Sequence, residues 1–290
     1  MPTYEKIDSI FTELDQFTIV ILSRNHEGYI LDCLQSVYRE LSEAKILWAD
    51  IGSSDNSFKK SKDISKELEL NTIHVQFWED TRTLRVLKGL EKYINTKYII
   101  LLSADDALGE NYRKALSNIT RINSREQVIN FISMVSDQDL NPLFPKSPKW
   151  ADKIQKNKRL LSYSNPGTAP GAVIPWEILI KSPSWKQPPN IVIEDYWLWW
   201  QLIDQVPFIN CKDAHVLYRQ HRNNVTKNTK NKDYAYSLGY VSALPNIKAL
   251  NFLNKLLSIF LIPRWIRHLN VSVWKDYVAG YISAIRNEVD

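Results

Sequence analysis

Compact apolar runs alternate with helix-period segments through the first hundred residues. Phe17-Thr-Ile-Val-Ile-Leu22 is a β-branched run, and between Gly28 and Leu41 the residues Ile30, Leu31, Leu34, Val37, Tyr38 and Leu41 recur at helical spacing. The unit repeats, with predicted strands over Ala44–Ala49, Thr72–Phe77 and Lys97–Leu102 and predicted helices over Ser57–Leu70 and Thr81–Tyr93. Strands separated by helices of this length need crossover connections. They predict a mainly parallel sheet, with ligand chemistry at the carboxyl ends of its strands.

The pattern changes after a further predicted strand, Gln127–Ser133. Prolines from Pro142 to Pro189 end the regular alternation, and helix returns at Glu194–Ile203. A short apolar piece, His215–Tyr218, leads into an Asn- and Lys-rich stretch, Asn223–Lys232, that reads as a loop. From Tyr234 onward the chain reads as helices, with Leu250, Leu253, Leu256, Leu257 and Phe260 on one face and Pro263 as a break. No internal repeat is visible. The expected organisation is a domain over 1–232 followed by a helical extension over 233–290.

Composition adds limits. With 290 residues, 44% hydrophobic and 24% charged, the chain is an ordinary globular sequence long enough for a substantial core. Its net charge of +5, from 37 basic and 32 acidic residues, suits an anionic ligand but is small for a nucleic-acid-binding protein. Cys33 and Cys211 supply neither a disulfide framework nor a Cys-rich zinc site. The start lacks the basic-then-apolar pattern of a secretory signal, and no window is long and apolar enough to span a membrane, so a cytoplasmic protein is expected.

Two strand exits carry candidate chemistry. Asp105 and Asp106 follow Tyr98-Ile-Ile-Leu-Leu-Ser-Ala104, and paired carboxylates there suit a hard cation with oxygen ligands. The alternative is turn formation or capping of the next helix. Asp50-Ile-Gly-Ser-Ser-Asp55-Asn-Ser57 follows the second strand, where Gly52 permits a tight turn, Asp55 can cap the helix, and Asp50 is left to accept hydrogen bonds from a base or ribose. A ligand-free turn is its alternative. Asn118-Ile-Thr120, Asn224-Val-Thr226 and Asn270-Val-Ser272 are formal glycosylation sequons, read as chance.

Five segments in order carry a family resemblance. They are Ile21-Leu-Ser-Arg-Asn25-His-Glu27, Asp50-Ile-Gly-Ser-Ser-Asp55, Leu102-Ser-Ala-Asp105-Asp106, Glu194-Asp195-Tyr-Trp-Leu-Trp-Trp-Gln-Leu202, and Tyr218-Arg-Gln-His221-Arg-Asn-Asn224-Val-Thr226. Over roughly residues 17 to 226 the chain resembles the glycosyltransferase family 2 enzymes. The resemblance implies an α/β GT-A fold, a nucleotide-diphosphate-sugar donor and inverting transfer to a hydroxyl of a saccharide or lipid-linked glycan, in surface polysaccharide biosynthesis.

It further implies Asp195 as catalytic base, with Glu194 second, and a Mn²⁺ or Mg²⁺ ion at Asp106, Asp105 and His221. Donor contacts fall to Ser23, Arg24, Asn25, Glu27, Asp50, Ser53, Arg82, Arg85 and Asp105. The chain departs from the family pattern at Arg24, where relatives often carry an aromatic, and at Ile51 and Ser103, where they often carry Asp. Trp197, Trp199 and Trp200 form a candidate sugar-stacking wall, with at least one expected in the core. His26, His74, His215 and His268 receive no role.

Two other readings compete. A sugar-phosphate nucleotidyltransferase also binds nucleotides on a parallel sheet with Mg²⁺, but this chain lacks an N-terminal Gly-rich, Arg-containing phosphate loop. A catalytically inactive relative that binds a glycan or a partner enzyme is the non-enzymatic rival. Residues 250–268 combine apolar positions with Lys255, Arg264, Trp265 and Arg267, a pattern suited either to peripheral contact with the inner face of a membrane or to packing on the chain's own domain.

Overall fold

The sheet begins with three strands so apolar that they demand cover on both faces. In the computed structural model β1 (Phe17–Ser23), β2 (Lys45–Ile51) and β4 (Tyr98–Ser103) are buried almost throughout, while β3 (Thr72–Phe77) is half-buried at the edge. The structure describes residues 14–78, 82–122, 126–146, 165, 167–188, 190–222, 224, 232–247 and 271–287. These divide into two compact units, the first made of 1–147, 168–182 and 206–220 and the second of 148–167, 183–205 and 221–290.

Unit 1 holds a nine-stranded sheet. Its remaining strands are β5 (Ala107–Leu108), β6 (Val128–Ser136), β7 (Pro142–Lys146), β8 (Ala172–Pro175) and β9 (Phe208–Arg219). The order is β3-β2-β1-β4-β8-β6-β9-β5, with β7 paired to β6 off this path. β3, β2, β1 and β4 run parallel, as do β6 and β9, whereas β8, β7 and β5 pair antiparallel with their neighbours. The helices of this unit are α1 (Ile30–Leu41), α2 (Ser57–Glu67), α3 (Thr83–Gly89), α4 (Tyr112–Ile122) and α5 (Trp176–Lys181).

Side-chain alternation explains the layering. Ile19 and Ile21 of β1, Ile46 and Trp48 of β2, and Ile100 and Leu102 of β4 point to one face. There they form a core with Ile30, Leu34, Val37 and Leu41 of α1, Ile64 of α2, and Tyr112, Ala115 and Leu116 of α4. The intervening Val20, Leu47, Ala49, Ile99 and Leu101 are buried too, as strands covered on both faces require.

The proline-rich segment corrects the expectation from sequence, because it contains two strands. Among the described residues β7 pairs with β6 alone, and an edge strand of this kind tolerates proline. β8 lies between β4 and β6 and ends on Pro175, opposite Tyr98. The apolar piece at His215–Tyr218 is the end of a much longer strand. Its register against β6 shifts between Phe131, opposite Cys211, and Ile132, opposite His215, so exposed Lys212 and Asp213 interrupt the apolar pattern at a bulge.

Unit 2 is helical where described. It contains α6 (Glu194–Leu202), α7 (Lys232–Ile247) and α8 (Val271–Asn287). α7 and α8 cross closely because neither has a side chain at the contact: a Cβ on Gly239 would lie 1.9 Å from the Tyr277 carbonyl oxygen, and one on Gly280 2.0 Å from that of Tyr236. Tyr277 and Tyr281 are buried beside this notch, with ring centroids 6.3 Å apart. The expected helical face from Leu250 to Phe260, the break at Pro263 and the whole of 250–268 lie outside the described residues, as does most of the loop expected at Asn223–Lys232. Among the described residues no helix is long and apolar enough to cross a membrane.

The notch predicts that Gly239→Ala destabilises the protein by about 1–3 kcal/mol, because backbone rather than a pliant side chain blocks the added methyl. Chemical denaturation measures this, with exposed Lys275→Ala expected to stay within about 0.5 kcal/mol of wild type.

Candidate functional site

Two strand-to-helix turns in unit 1 are joined by their own side chains. Asn25, at a φ of 56°, donates its backbone N–H to Ser53 Oγ (3.0 Å) and accepts the Ser54 N–H at Oδ1 (2.8 Å). His26 N–H donates to Ser57 Oγ (2.8 Å), and Glu27 N–H to Asp55 Oδ2 (3.2 Å). The Glu27 carboxylate in turn accepts the backbone N–H and side-chain amide of Asn56, at 3.2 and 3.1 Å. Asn25, Glu27 and Ser53, expected as donor contacts, thus couple the turn after β1 to the turn after β2. Arg24 and Arg85 are exposed, and Arg82 directly precedes α3.

Asp50 stands at the end of β2, fully buried. Its Oδ1 accepts the Ser53 N–H at 3.0 Å and the Gln76 amide at 3.4 Å, while Oδ2 has no hydrogen-bond partner. Ser23, opposite Asp50 in the β1–β2 register, is also fully buried, with its hydroxyl unpartnered. Unsatisfied buried polar atoms cost stability, and two at adjacent parallel-strand ends are what a polar ligand would relieve.

Asp105 and Asp106 follow β4, 8% and 1% exposed. Ser103 donates its hydroxyl to Asp105 Oδ1, and His26 Nε2 lies 3.8 Å from Asp105 Oδ2. Asp106 Oδ1 accepts the Arg219 backbone N–H at 3.0 Å. Burial first, and then the neighbouring Asp105, push the Asp106 carboxyl well above the usual carboxylate range, against the opposing pull of Arg219. Asp106 is thus set in a position that disfavours its own negative charge. Carboxylate oxygens with a nearby imidazole are a donor set suited to Mn²⁺ or Mg²⁺, and a divalent cation would favour the ionised form.

Arg219, the last residue of β9, fixes this corner. Its guanidinium is 2% exposed, donating from Nε to the Asp105 carbonyl (2.7 Å), from Nη2 to Asp32 Oδ2 (2.7 Å) and from Nη1 to the Gln138 carbonyl. It also lies 4.8 Å from the centroid of the Tyr29 ring. On the α1 side, Ser36 Oγ accepts the Leu108 N–H (2.9 Å) and Arg39 donates to the Leu108 carbonyl (2.8 Å), pinning the strand just beyond the acidic pair. The buried Cys33 thiol lies beneath, its pKa raised first by burial and then by Asp106 and Asp105.

Unit 2 carries the remaining residues expected in the site. Glu194 and Asp195 occupy the first turn of α6, where the helix dipole favours negative charge. Asp195 Oδ2 accepts a hydrogen bond from Asn165 Nδ2 (2.8 Å), whose own Oδ1 is held by the Gly167 N–H (3.3 Å). Trp197, Trp199 and Trp200 are all buried, so the sugar-stacking wall is not an exposed one. Trp197 donates its indole N–H to the Ser184 carbonyl (3.0 Å) and lies 6.4 Å from the Tyr240 ring. His221 begins this unit; its backbone N–H donates to Asn224 Oδ1, and Asn224 is itself buried, contrary to the needs of a glycosylation site.

Sequence reading passed over His26, Arg219 and Asn165. The first two lie inside the quoted motifs, next to Asn25 and two residues before His221. Asn165 lies in the proline-rich stretch, where spacing gives no register.

No family model matches the sequence, and no curated protein matches it. Among solved structures the fold is similar to that of S. aureus TarS 1–349 in complex with UDP-GlcNAc, with a TM-score of 0.67 and 13% identity over 94% of this chain and 82% of that one. It is also similar to the mannosyltransferase PcManGT from Pyrobaculum calidifontis in complex with GDP-Man and Mn²⁺, with a TM-score of 0.60 and 12% identity over 93% of this chain and 75% of that one. At these identities the likeness is one of fold, and it establishes the expected GT-A-like α/β architecture with a helical C-terminal segment.

Two outcomes test the geometry. A raised carboxyl pKa means that the folded state holds the Asp106 proton more tightly than the unfolded chain, so this group costs stability as pH rises above the ordinary carboxylate range of about 4. In metal-free buffer Asp106→Asn is therefore expected to melt above wild type at neutral pH, with the gap closing toward pH 4; a wild type that melts higher at pH 7 contradicts the placement. Arg219→Lys keeps the charge but loses the planar fork, and is expected to lower stability by about 1–3 kcal/mol in denaturant titration.

Proposed function

We propose that the protein is a metal-dependent inverting glycosyltransferase of the family 2 type, moving a sugar from a nucleotide-diphosphate donor to a hydroxyl of a saccharide or lipid-linked glycan. The observation that carries this reading is the set of buried carboxylates at neighbouring parallel-strand ends: Asp50 on β2, with an unpartnered oxygen, and Asp105 and Asp106 beyond β4, with β1 between them. Nucleotide sugars in the structural neighbours, UDP-GlcNAc in one and GDP-Man with Mn²⁺ in the other, support it.

In this reading Asp50, Ser23, Arg24, Arg82 and Arg85 bind the donor, while Asn25, Glu27 and Ser53 hold the donor-facing turns in place. Asp105 and Asp106 hold Mn²⁺ or Mg²⁺, with His26 beside them. His221 serves as a further ligand or as a contact to the diphosphate. The cation would offset charge gathering on the departing diphosphate. The acceptor oxygen bonds to the anomeric carbon as the bond to the diphosphate breaks, and Asp195 takes the acceptor's proton, with Glu194 as the second candidate. All these residues fall within 1–232. For the extension 233–290, residues 250–268 carry either packing on the chain's own domain or peripheral contact with the inner face of a membrane, in surface polysaccharide biosynthesis.

A panel of nucleotide-diphosphate sugars with Mn²⁺ or Mg²⁺, scored for binding and for release of nucleoside diphosphate, tests the reading. One donor is expected to bind. Asp106→Ala is expected to lose metal-dependent binding, and Asp195→Ala to bind normally while turnover falls by about 10²- to 10⁴-fold. Absence of donor binding with either metal favours the inactive relative, and pyrophosphate release from a nucleoside triphosphate plus a sugar phosphate favours the nucleotidyltransferase.

A further inference from the structure

His26 belongs to the turn after β1, yet its imidazole reaches the acidic pair beyond β4. Backbone bonds hold the residue in place: its N–H donates to Ser57 Oγ (2.8 Å), and its carbonyl accepts the Tyr29 N–H (2.8 Å). The ring lies 6.4 Å from that of Tyr29, and the side chain is 17% exposed. Asp105 Oδ1 is engaged by the Ser103 hydroxyl, and it is the other oxygen, Oδ2, that stands 3.8 Å from His26 Nε2. That separation is too long for a hydrogen bond. Two ligand atoms each about 2.1 Å from one ion lie between about 3 and 4 Å apart, so a shared cation spans the distance.

We propose that His26 Nε2 is a direct ligand of the cation at Asp105, and that this nitrogen selects a transition ion of the Mn²⁺ and Co²⁺ kind over Mg²⁺; the proposal rests on the metal-dependent reading above. Mg²⁺ keeps to oxygen ligands and gives up its waters reluctantly, whereas first-row transition ions accept imidazole, more strongly from Mn²⁺ to Co²⁺. A wholly carboxylate site offers Mg²⁺ the ligands it prefers. One imidazole in the set moves the preference to the transition ions. The placement of His26 also gives the ion a structural part. The turn after β1 is braced to the turn after β2 by its own side chains, so an ion shared by His26 and Asp105 ties both to the turn after β4.

Calorimetric titration of the full chain with MnCl₂, CoCl₂ and MgCl₂, each without nucleotide, tests this beside His26→Gln and His26→Ala. Gln keeps an amide N–H for Asp105 but supplies no imidazole. Both variants retain the backbone bonds to Ser57 and Tyr29, and melting temperatures check that they fold. Wild type is expected to bind Co²⁺ and Mn²⁺ more tightly than Mg²⁺, which is read without any variant. Loss of even an outer-shell partner costs about 10- to 100-fold in metal affinity, so each variant is expected to bind Mn²⁺ and Co²⁺ at least about tenfold more weakly, with Mg²⁺ affinity nearly unchanged. Wild-type binding of Mg²⁺ as tight as that of Mn²⁺ overturns the selectivity. Unchanged Mn²⁺ affinity in His26→Gln, or an equal loss for all three ions, makes His26 a hydrogen-bonding neighbour and overturns the ligand. Those results leave the metal-dependent reading standing, whereas Asp106→Ala that binds Mn²⁺ as wild type does counts against that reading itself. A wild type that binds none of the ions overturns the proposal, and the nucleotide-sugar panel still decides the reading.

Discussion

A buried guanidinium holds the acidic corner of unit 1 together. Arg219 joins four separate stretches of chain: the end of β9 from which it projects, the turn after β4 through the Asp105 carbonyl, the turn after β6 through Gln138, and the start of α1 through Asp32. A charged side chain at 2% exposure is tolerated only when its donors are met, and a rigid fork can meet partners on separate segments where an ammonium cannot. The turn carrying the carboxylates is thereby fixed by the end of a strand far away in sequence. This explains why a bulged twelve-residue strand is kept in register up to its last residue.

The turns on the other side of β1 are stabilised in a different way. Short polar side chains reach from each turn to the backbone of the other, so the conformations after β1 and β2 depend on each other rather than on a ligand. Gly52, at a φ of 66°, supplies the left-handed residue that lets the β2 turn fold back toward Asp50. The two turns are in this sense built by their own contacts, with the polar groups they carry already oriented.

How much of this the sequence shows depends on whether an element is decided locally. β1 to β4 and their helices were readable because β-branched runs and helical spacing are local signals; β3 falls on Thr72–Phe77 as expected. α4 carries its stripe of Tyr112, Ala115 and Leu116 within a short helix that follows closely on the turn of the acidic pair. β7 and β8 were missed because their prolines read as breaks, and only sheet position makes a proline harmless. β9 was cut short because its bulge puts charged residues where an alternating pattern should continue. In the site, residue types at strand exits were readable. The partners were not: that Glu27 binds a neighbouring turn, or that Asn165 reaches Asp195, is long-range information that spacing does not contain.

The route taken by Arg219's charge bears on what the acidic pair is for. The Arg219 side chain bonds the Asp105 backbone carbonyl and makes an ionic contact with Asp32, while its backbone N–H is donated to Asp106. Asp106 is thereby held in position, a carboxyl whose ionisation is disfavoured by burial and by its neighbour Asp105 against the pull of Arg219. Buried carboxylates are normally paired, and at a corner that fixes two of them side by side a bound cation would favour their ionised form.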